Sequence, residues 1–215
     1  MHAAATPITT TTSDGVSLVA ELTTPDDPVA AAVLCHPHPR YGGNMHATLV
    51  AVLFDVLPEA GIACLRFNFR GAGGSTGTFD GGQGERLDVT AAASSLADGV
   101  PGVPLWLVGW SFGADVALAS DAPGVSGWIA VAPPLSIVEP TEMVAPAQAR
   151  PTVLLVPEHD MFRSPASAAE EVAHWPVAPE LEVLPGADHF LGGHAYEAAW
   201  RVRDHILGIG DRSKG

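Results

Sequence analysis

The sequence predicts an α/β protein with a mainly parallel central sheet and helices on both faces. Short apolar runs of β type alternate with helical patterns along almost the whole chain, as βαβ units require. From Ala30 on, those runs are continuously apolar rather than alternating, the pattern of strands covered on both sides. The 215 residues, 47% hydrophobic and 16% charged, suffice for one sizeable core and are too apolar for a disordered chain.

A single domain is expected to span 1–215, with 1–14 and 208–215 as flexible ends. The first strand, Val16–Leu22, alternates and is expected to be an antiparallel edge strand. Strand Ala30–Cys35 follows. Met45, Leu49, Val52, Leu53, Val56 and Leu57 then recur at helical spacing, and Gly61 stands where that helix would end. Strand Ile62–Phe69 precedes a helix over Glu85–Leu96, and strand Leu105–Val108 precedes one over Phe112–Ser120. After strand Trp128–Ala132, the Pro- and Ala-rich stretch Pro133–Pro151 lacks periodicity and reads as a short loop or irregular helix rather than an inserted domain. Strand Val153–Val156, helix Pro165–His174, strand Leu181–Leu184 and helix Tyr196–Leu207 complete the pattern.

Ten Lys+Arg against 24 Asp+Glu give a net charge of −14, which repels a phosphate backbone or an anionic membrane surface. Neither nucleic acid nor membrane is therefore an expected partner. The longest apolar stretch, Val29–Cys35, is far short of the ~18 residues a membrane span needs. The first residues have neither the basic nor the apolar region of a secretory signal, so a cytoplasmic location is expected. Cys35 and Cys64 lie inside apolar runs and read as buried structural thiols.

The chemistry concentrates where the strand PLWLV runs into Gly109-Trp110-Ser111-Phe112-Gly113 and the helical ADVALA. A G-x-S-x-G between strand and helix is a nucleophile elbow: a sharp turn presents the serine, and the glycines let neighbouring backbone approach without a Cβ. A serine hydroxyl needs a base beside it and an acid that holds the base in the right tautomer. Asp160 ends the run TVLLVPEHD, and His189 follows the strand in LEVLPGADHF, giving the order Ser, Asp, His with each member after a strand. Glu158 and Asp188 are the alternative acids. Asp188 reads as a turn residue, and His159, His174, His194 and His205 read as solvated or capping histidines.

Together with CHPHPRYGGNMH and RFNFRGAGGSTG, these motifs resemble the α/β-hydrolase superfamily. They are most similar to its small, lid-poor bacterial branch of dienelactone hydrolases, carboxylesterases and serine aminopeptidase-like proteins. The resemblance, over Val16 to Leu207, implies the α/β-hydrolase fold without a large cap domain, and a cofactor-free and metal-free serine hydrolase for small carboxylic esters. It implies Ser111 as nucleophile, His189 as base and Asp160 as orienting acid. It also implies an oxyanion hole of two backbone N–H groups, one from Phe112 and one from the loop after the early central strand. In His36-Pro37-His38-Pro39 the prolines carry no amide hydrogen, so His38 is the expected second donor, with Arg40 or Tyr41 as alternatives. Pro37 departs from the His-Gly common at this place. Tyr41, Phe162 and Phe190 are expected to bind substrate, and Phe79 and Met161 are further candidates for the acyl pocket. Arg70, in a glycine run that fits neither a Walker loop nor a dinucleotide fingerprint, is expected in a buried ion pair. His36 and His38 lack a well-spaced third metal ligand. Serine at the elbow disfavours a dehalogenase and dienelactone hydrolase proper. Acyl transfer, aminoacyl or peptide hydrolysis, and a non-catalytic binding role are the alternatives. The oligomeric state stays open.

Overall fold

The computed structural model describes residues 5–209. Eight strands form one sheet: β1 (Thr6–Thr11), β2 (Ser17–Thr23), β3 (Ala30–Cys35), β4 (Ile62–Phe67), β5 (Leu105–Trp110), β6 (Val125–Val131), β7 (Thr152–His159) and β8 (Glu180–Asp188), in the spatial order β1-β2-β4-β3-β5-β6-β7-β8. The pairs β1–β2 and β2–β4 are antiparallel, and every pairing from β4 across to β8 is parallel. Five helices connect them: α1 (Thr48–Glu59), α2 (Glu85–Gly99), α3 (Phe112–Leu118), α4 (Pro165–Val172) and α5 (Ala195–Leu207).

The sheet divides the interior into two cores. Leu49, Leu53 and Leu57 of α1 and Ala198 and Val202 of α5 pack with Leu34, Cys64 and Val108 on one face. Val89 and Leu96 of α2, Phe112, Val116 and Leu118 of α3, and Ala168 and Val172 of α4 pack with Val33, Leu65 and Leu107 on the other. Successive strand residues thus feed opposite cores, which is why the central strands read as unbroken apolar runs. Cys35 and Cys64 are free and buried, and burial pushes both thiols up.

Two expectations are corrected. The segment 1–14 contains β1, whose Ile8 packs against the core, so Thr6–Thr11 are an edge strand rather than part of a flexible end. Its Thr-rich, solvent-facing sequence hid it: β1 is held by backbone pairing with β2, not by an apolar stripe. Consequently the strand expected at Val16–Leu22 is antiparallel but internal, lying between β1 and β4. At the other end, Gly208 adopts the left-handed conformation (φ 63°) that stops α5, while 210–215 lie outside the described residues.

The stretch Pro133–Pro151 holds two single 3₁₀ turns, Pro140–Glu142 and Ala145–Ala147. From β3 the chain crosses to β4 on one side, whereas from β5 it crosses to β6 on the other. The loops after β3 and β5 therefore diverge and leave a crevice at the carboxyl ends of the central strands.

Candidate active site

Ser111 stands at the tip of the turn between β5 and α3, in a conformation (φ 55°, ψ −119°) that non-glycine residues seldom adopt. Its neighbours hold it there. A Cβ on Gly109 would lie 2.2 Å from the Gly113 carbonyl oxygen, and one on Gly113 would lie 2.4 Å from the Cys35 carbonyl oxygen. Only glycine permits so tight a turn and so close an approach to β3. The Ser111 N–H donates to the Val131 carbonyl, and the Ser111 carbonyl accepts from Ala114 and Asp115.

Three side chains converge on this tip. Ser111 Oγ lies 2.9 Å from His189 Nε2, and His189 Nδ1 lies 2.8 Å from Asp160 Oδ2. Asp160 and His189 are buried, and the other Asp160 oxygen accepts the N–H groups of Phe162 (2.8 Å) and Arg163 (3.1 Å). A carboxylate against Nδ1 selects the tautomer with its hydrogen there, leaving the Nε2 lone pair facing the serine hydroxyl. The Trp110 indole donates to the His189 carbonyl at 3.2 Å, tying the His189 backbone to the residue before the serine. The alternative acids have other partners: Glu158 accepts from Gly186 N–H, and Asp188 accepts from Phe190 and Gly192 N–H in a turn.

A cleft of about 760 Å³ opens over Ser111. Tyr41, Phe162 and Phe190 all line it and are mostly exposed. Phe162 and Phe190 set their rings edge-on to His189, at centroid distances of 4.5 and 5.6 Å. Phe79 and Met161, also considered for the pocket, do not line it: Phe79 packs behind His38 and Phe112, and Met161 points to solvent, 73% exposed.

Of the candidate oxyanion donors, Arg40 N–H donates to His38 Nδ1 and Tyr41 N–H to the His38 carbonyl. Among the described residues, the N–H groups of Phe112 and His38 donate to no acceptor, and both residues line the cleft. Arg70 makes the expected buried ion pair, its guanidinium bound to Asp88 and to Asp14. Both His36 ring nitrogens are engaged in hydrogen bonds to backbone. Among the described residues, no cluster of three or more His, Cys, Asp or Glu could hold a metal, and no helix is long and apolar enough to cross a membrane.

Comparison with known proteins identifies the family and the fold. The family profile described as serine aminopeptidase, S33, matches residues 26–159. The chain belongs to that family of α/β-hydrolases. An uncharacterized protein from Rickettsia prowazekii is 32% identical over 202 residues, covering 88% of this chain and 83% of that protein. Among solved structures, a lid-less α/β serine hydrolase from Xanthomonas campestris superposes with a TM-score of 0.83 at 28% identity, covering 98% of this chain and 97% of that one. An α/β serine hydrolase homologue from Coxiella burnetii gives 0.81 at 29% identity, over 95% and 98%.

The S33 profile covers Ser111 and stops one residue short of Asp160. Three residues shape the site in ways the sequence reading did not assign to them. The first is His36, fully buried. Its Nδ1–H donates to the Pro37 carbonyl (2.6 Å) and its Nε2 accepts the Phe69 N–H (3.1 Å). Burial pulls its imidazole down to about 4, so the neutral ring makes both bonds at neutral pH. The Pro37 C=O and the His38 N–H belong to one planar trans peptide and point opposite ways, so anchoring the carbonyl aims the N–H. Gly43 closes the other side of the same carbonyl, since a Cβ there would lie 2.0 Å from it.

The second is Asp115, one turn after Ser111 and fully buried, whose carboxylate accepts the N–H groups of Leu135 (2.9 Å), Ser136 (2.8 Å) and Ile137 (2.9 Å). Burial pushes its carboxyl up to about 6, against those three donors and nearby Arg163. The third is Arg163, whose guanidinium donates to the Pro134 and Leu135 carbonyls. Between them they clamp a cleft wall in which Leu135 is left-handed (φ 54°). An acid in the otherwise apolar FGADVAL was the one available signal, because a buried carboxylate requires partners.

Proposed function

We propose that this chain is a carboxylesterase-like serine hydrolase that cleaves small carboxylic esters through an acyl-enzyme. His189 Nε2 takes the Ser111 proton as Oγ attacks the ester carbonyl carbon. The oxyanion so formed accepts the N–H groups of Phe112 and His38, donors held in place before the reaction. The imidazolium, stabilised by Asp160, gives its proton to the departing alcohol. Water, deprotonated by the same imidazole, then releases the acid. Tyr41, Phe162 and Phe190 bind the substrate, and neither metal nor cofactor takes part. One observation carries the reading: the Ser111–His189–Asp160 relay opens into a cleft beside two backbone N–H groups with no protein acceptor.

The absence of a cap over the cleft supports short, readily exchanged substrates rather than long-chain lipids. The acidic charge balance and the two free, buried cysteines support a cytoplasmic protein. Incubation with a fluorophosphonate followed by intact-mass measurement tests the mechanism. One adduct per chain is expected, absent in Ser111→Ala. Folded protein without an adduct overturns the reading.

A further inference from the structure

The cleft over Ser111 is built for an uncharged substrate. Its walls are formed chiefly by Trp110, Phe112, Ile137, Phe162 and Phe190, and among the described residues no Asp, Glu, Lys or Arg lines it. Charged groups nearby are turned elsewhere and engaged. Asp160 is shared by His189 and two backbone N–H groups. Asp115 is saturated by three, and Arg163 is spent on two carbonyls. Glu85, whose charge acts on the His38 ring, is itself fully buried and accepts the N–H groups of Asp80 and Gly82. Arg40 lies outside, over Phe79.

An enzyme that removes an N-terminal amino acid needs a carboxylate or carbonyl cluster for the substrate's ammonium. A site for acidic acyl groups needs a cation. A charge brought into this cleft would lose water and gain no counter-charge, a penalty that a neutral group of the same shape escapes. The catalytic oxyanion is compensated by its two N–H groups and by the imidazolium, but both sit at the carbonyl and cannot serve an acyl substituent.

From this, and resting on the acyl-enzyme reading above, we propose that the enzyme selects esters with an uncharged, apolar acyl group and rejects aminoacyl and dicarboxylic esters, in contrast to what the S33 family description suggests.

The test compares p-nitrophenyl esters of nearly one shape: 3-phenylpropanoate, its α-ammonium analogue (the phenylalanine ester), and an analogue carrying an α-carboxylate. Each kcat/KM is divided by that ester's own hydroxide-catalysed rate, which removes differences in intrinsic reactivity. Both charged esters are expected to fall about 100-fold below the neutral one, less than a fully enclosed polar mismatch gives because this cleft is open. Thr48→Glu places a carboxylate at an exposed lining position in the first turn of α1, where the helix dipole favours it. That variant is expected to narrow the gap for the ammonium ester and widen it for the carboxylate ester. Equal or preferential cleavage of the ammonium ester, with fluorophosphonate still labelling Ser111, overturns the selectivity and leaves the acyl-enzyme standing. An unchanged ratio in Thr48→Glu overturns the missing counter-charge as its cause. Failure of both labelling and neutral-ester cleavage removes the acyl-enzyme and the selectivity with it.

Discussion

The two sides of the cleft are shaped by different physics. The elbow around Ser111 is held by exclusion: Gly109 and Gly113 bring backbone atoms so close that no side chain fits, and the strained serine has nowhere to relax. The facing walls, Pro37–Gly43 and Pro134–Ile137, are held chiefly by attraction, through hydrogen bonds from His36, Asp115 and Arg163 to particular carbonyls and N–H groups, with Gly43 adding one tight approach to the Pro37 carbonyl. Exclusion is all-or-none. Attraction is graded, so the two regions should fail differently under mutation.

The harshest test is Gly113→Ala, whose methyl would sit 2.4 Å from the Cys35 carbonyl oxygen. A destabilisation of about 3 kcal/mol or more is expected. It should be accompanied by a ~10³-fold loss of ester hydrolysis and slowed fluorophosphonate labelling, as the elbow and β3 are forced apart. A smaller effect is expected from Asp115→Asn, whose single amide oxygen cannot serve three donors. Orphaning at least one buried N–H costs about 1–3 kcal/mol. The wall Pro134–Ile137 should loosen, raising KM more than it lowers kcat. A mainly kcat effect would instead place Asp115's influence on the elbow.

His36→Leu releases the Pro37 carbonyl and so the aim of the His38 N–H, a donor needed only in the transition state. The expectation is a kcat about 10- to 100-fold lower with KM nearly unchanged, since losing one such donor outright costs ~10²–10³. Unchanged kcat would mean that Gly43 alone orients that peptide.

The mildest test is acid stability. His36 falls from 6.5 to about 4 on folding, so between those values the unfolded chain binds the extra proton and stability rises with pH. Asp115, pushed from 3.8 up to about 6, acts oppositely: the native state holds the extra proton, and stability falls as pH rises through that range. Denaturant melts at pH 4.5 and 7 should therefore show a smaller acid loss in His36→Leu than in the parent.

The same division explains what could be read in advance. Continuous apolar strands, the elbow, and the order Ser111, Asp160, His189 are signalled within short windows, because each depends on a strand and the turn after it. The strand β1 was hidden because an edge strand rich in threonine, with no residue fully buried, shows no apolar pattern. The wall Pro134–Ile137 was hidden because its shape is imposed by Asp115 and Arg163, about 20 residues before it and about 28 after. Even Leu135, left-handed without being glycine, carries no mark in the sequence of the help it receives.

The indole bond from Trp110 to the His189 carbonyl works as a strut across the sheet. His189 follows β8, an outer strand with a single neighbour, where fraying is cheapest. A direct tie from β5 bypasses the two intervening strands, so breathing at that margin need not change the serine–imidazole separation. The indole proton should then exchange with solvent far more slowly than the outward-facing amides of β8, making it a natural reporter of whether Ser111 and His189 still move as one body.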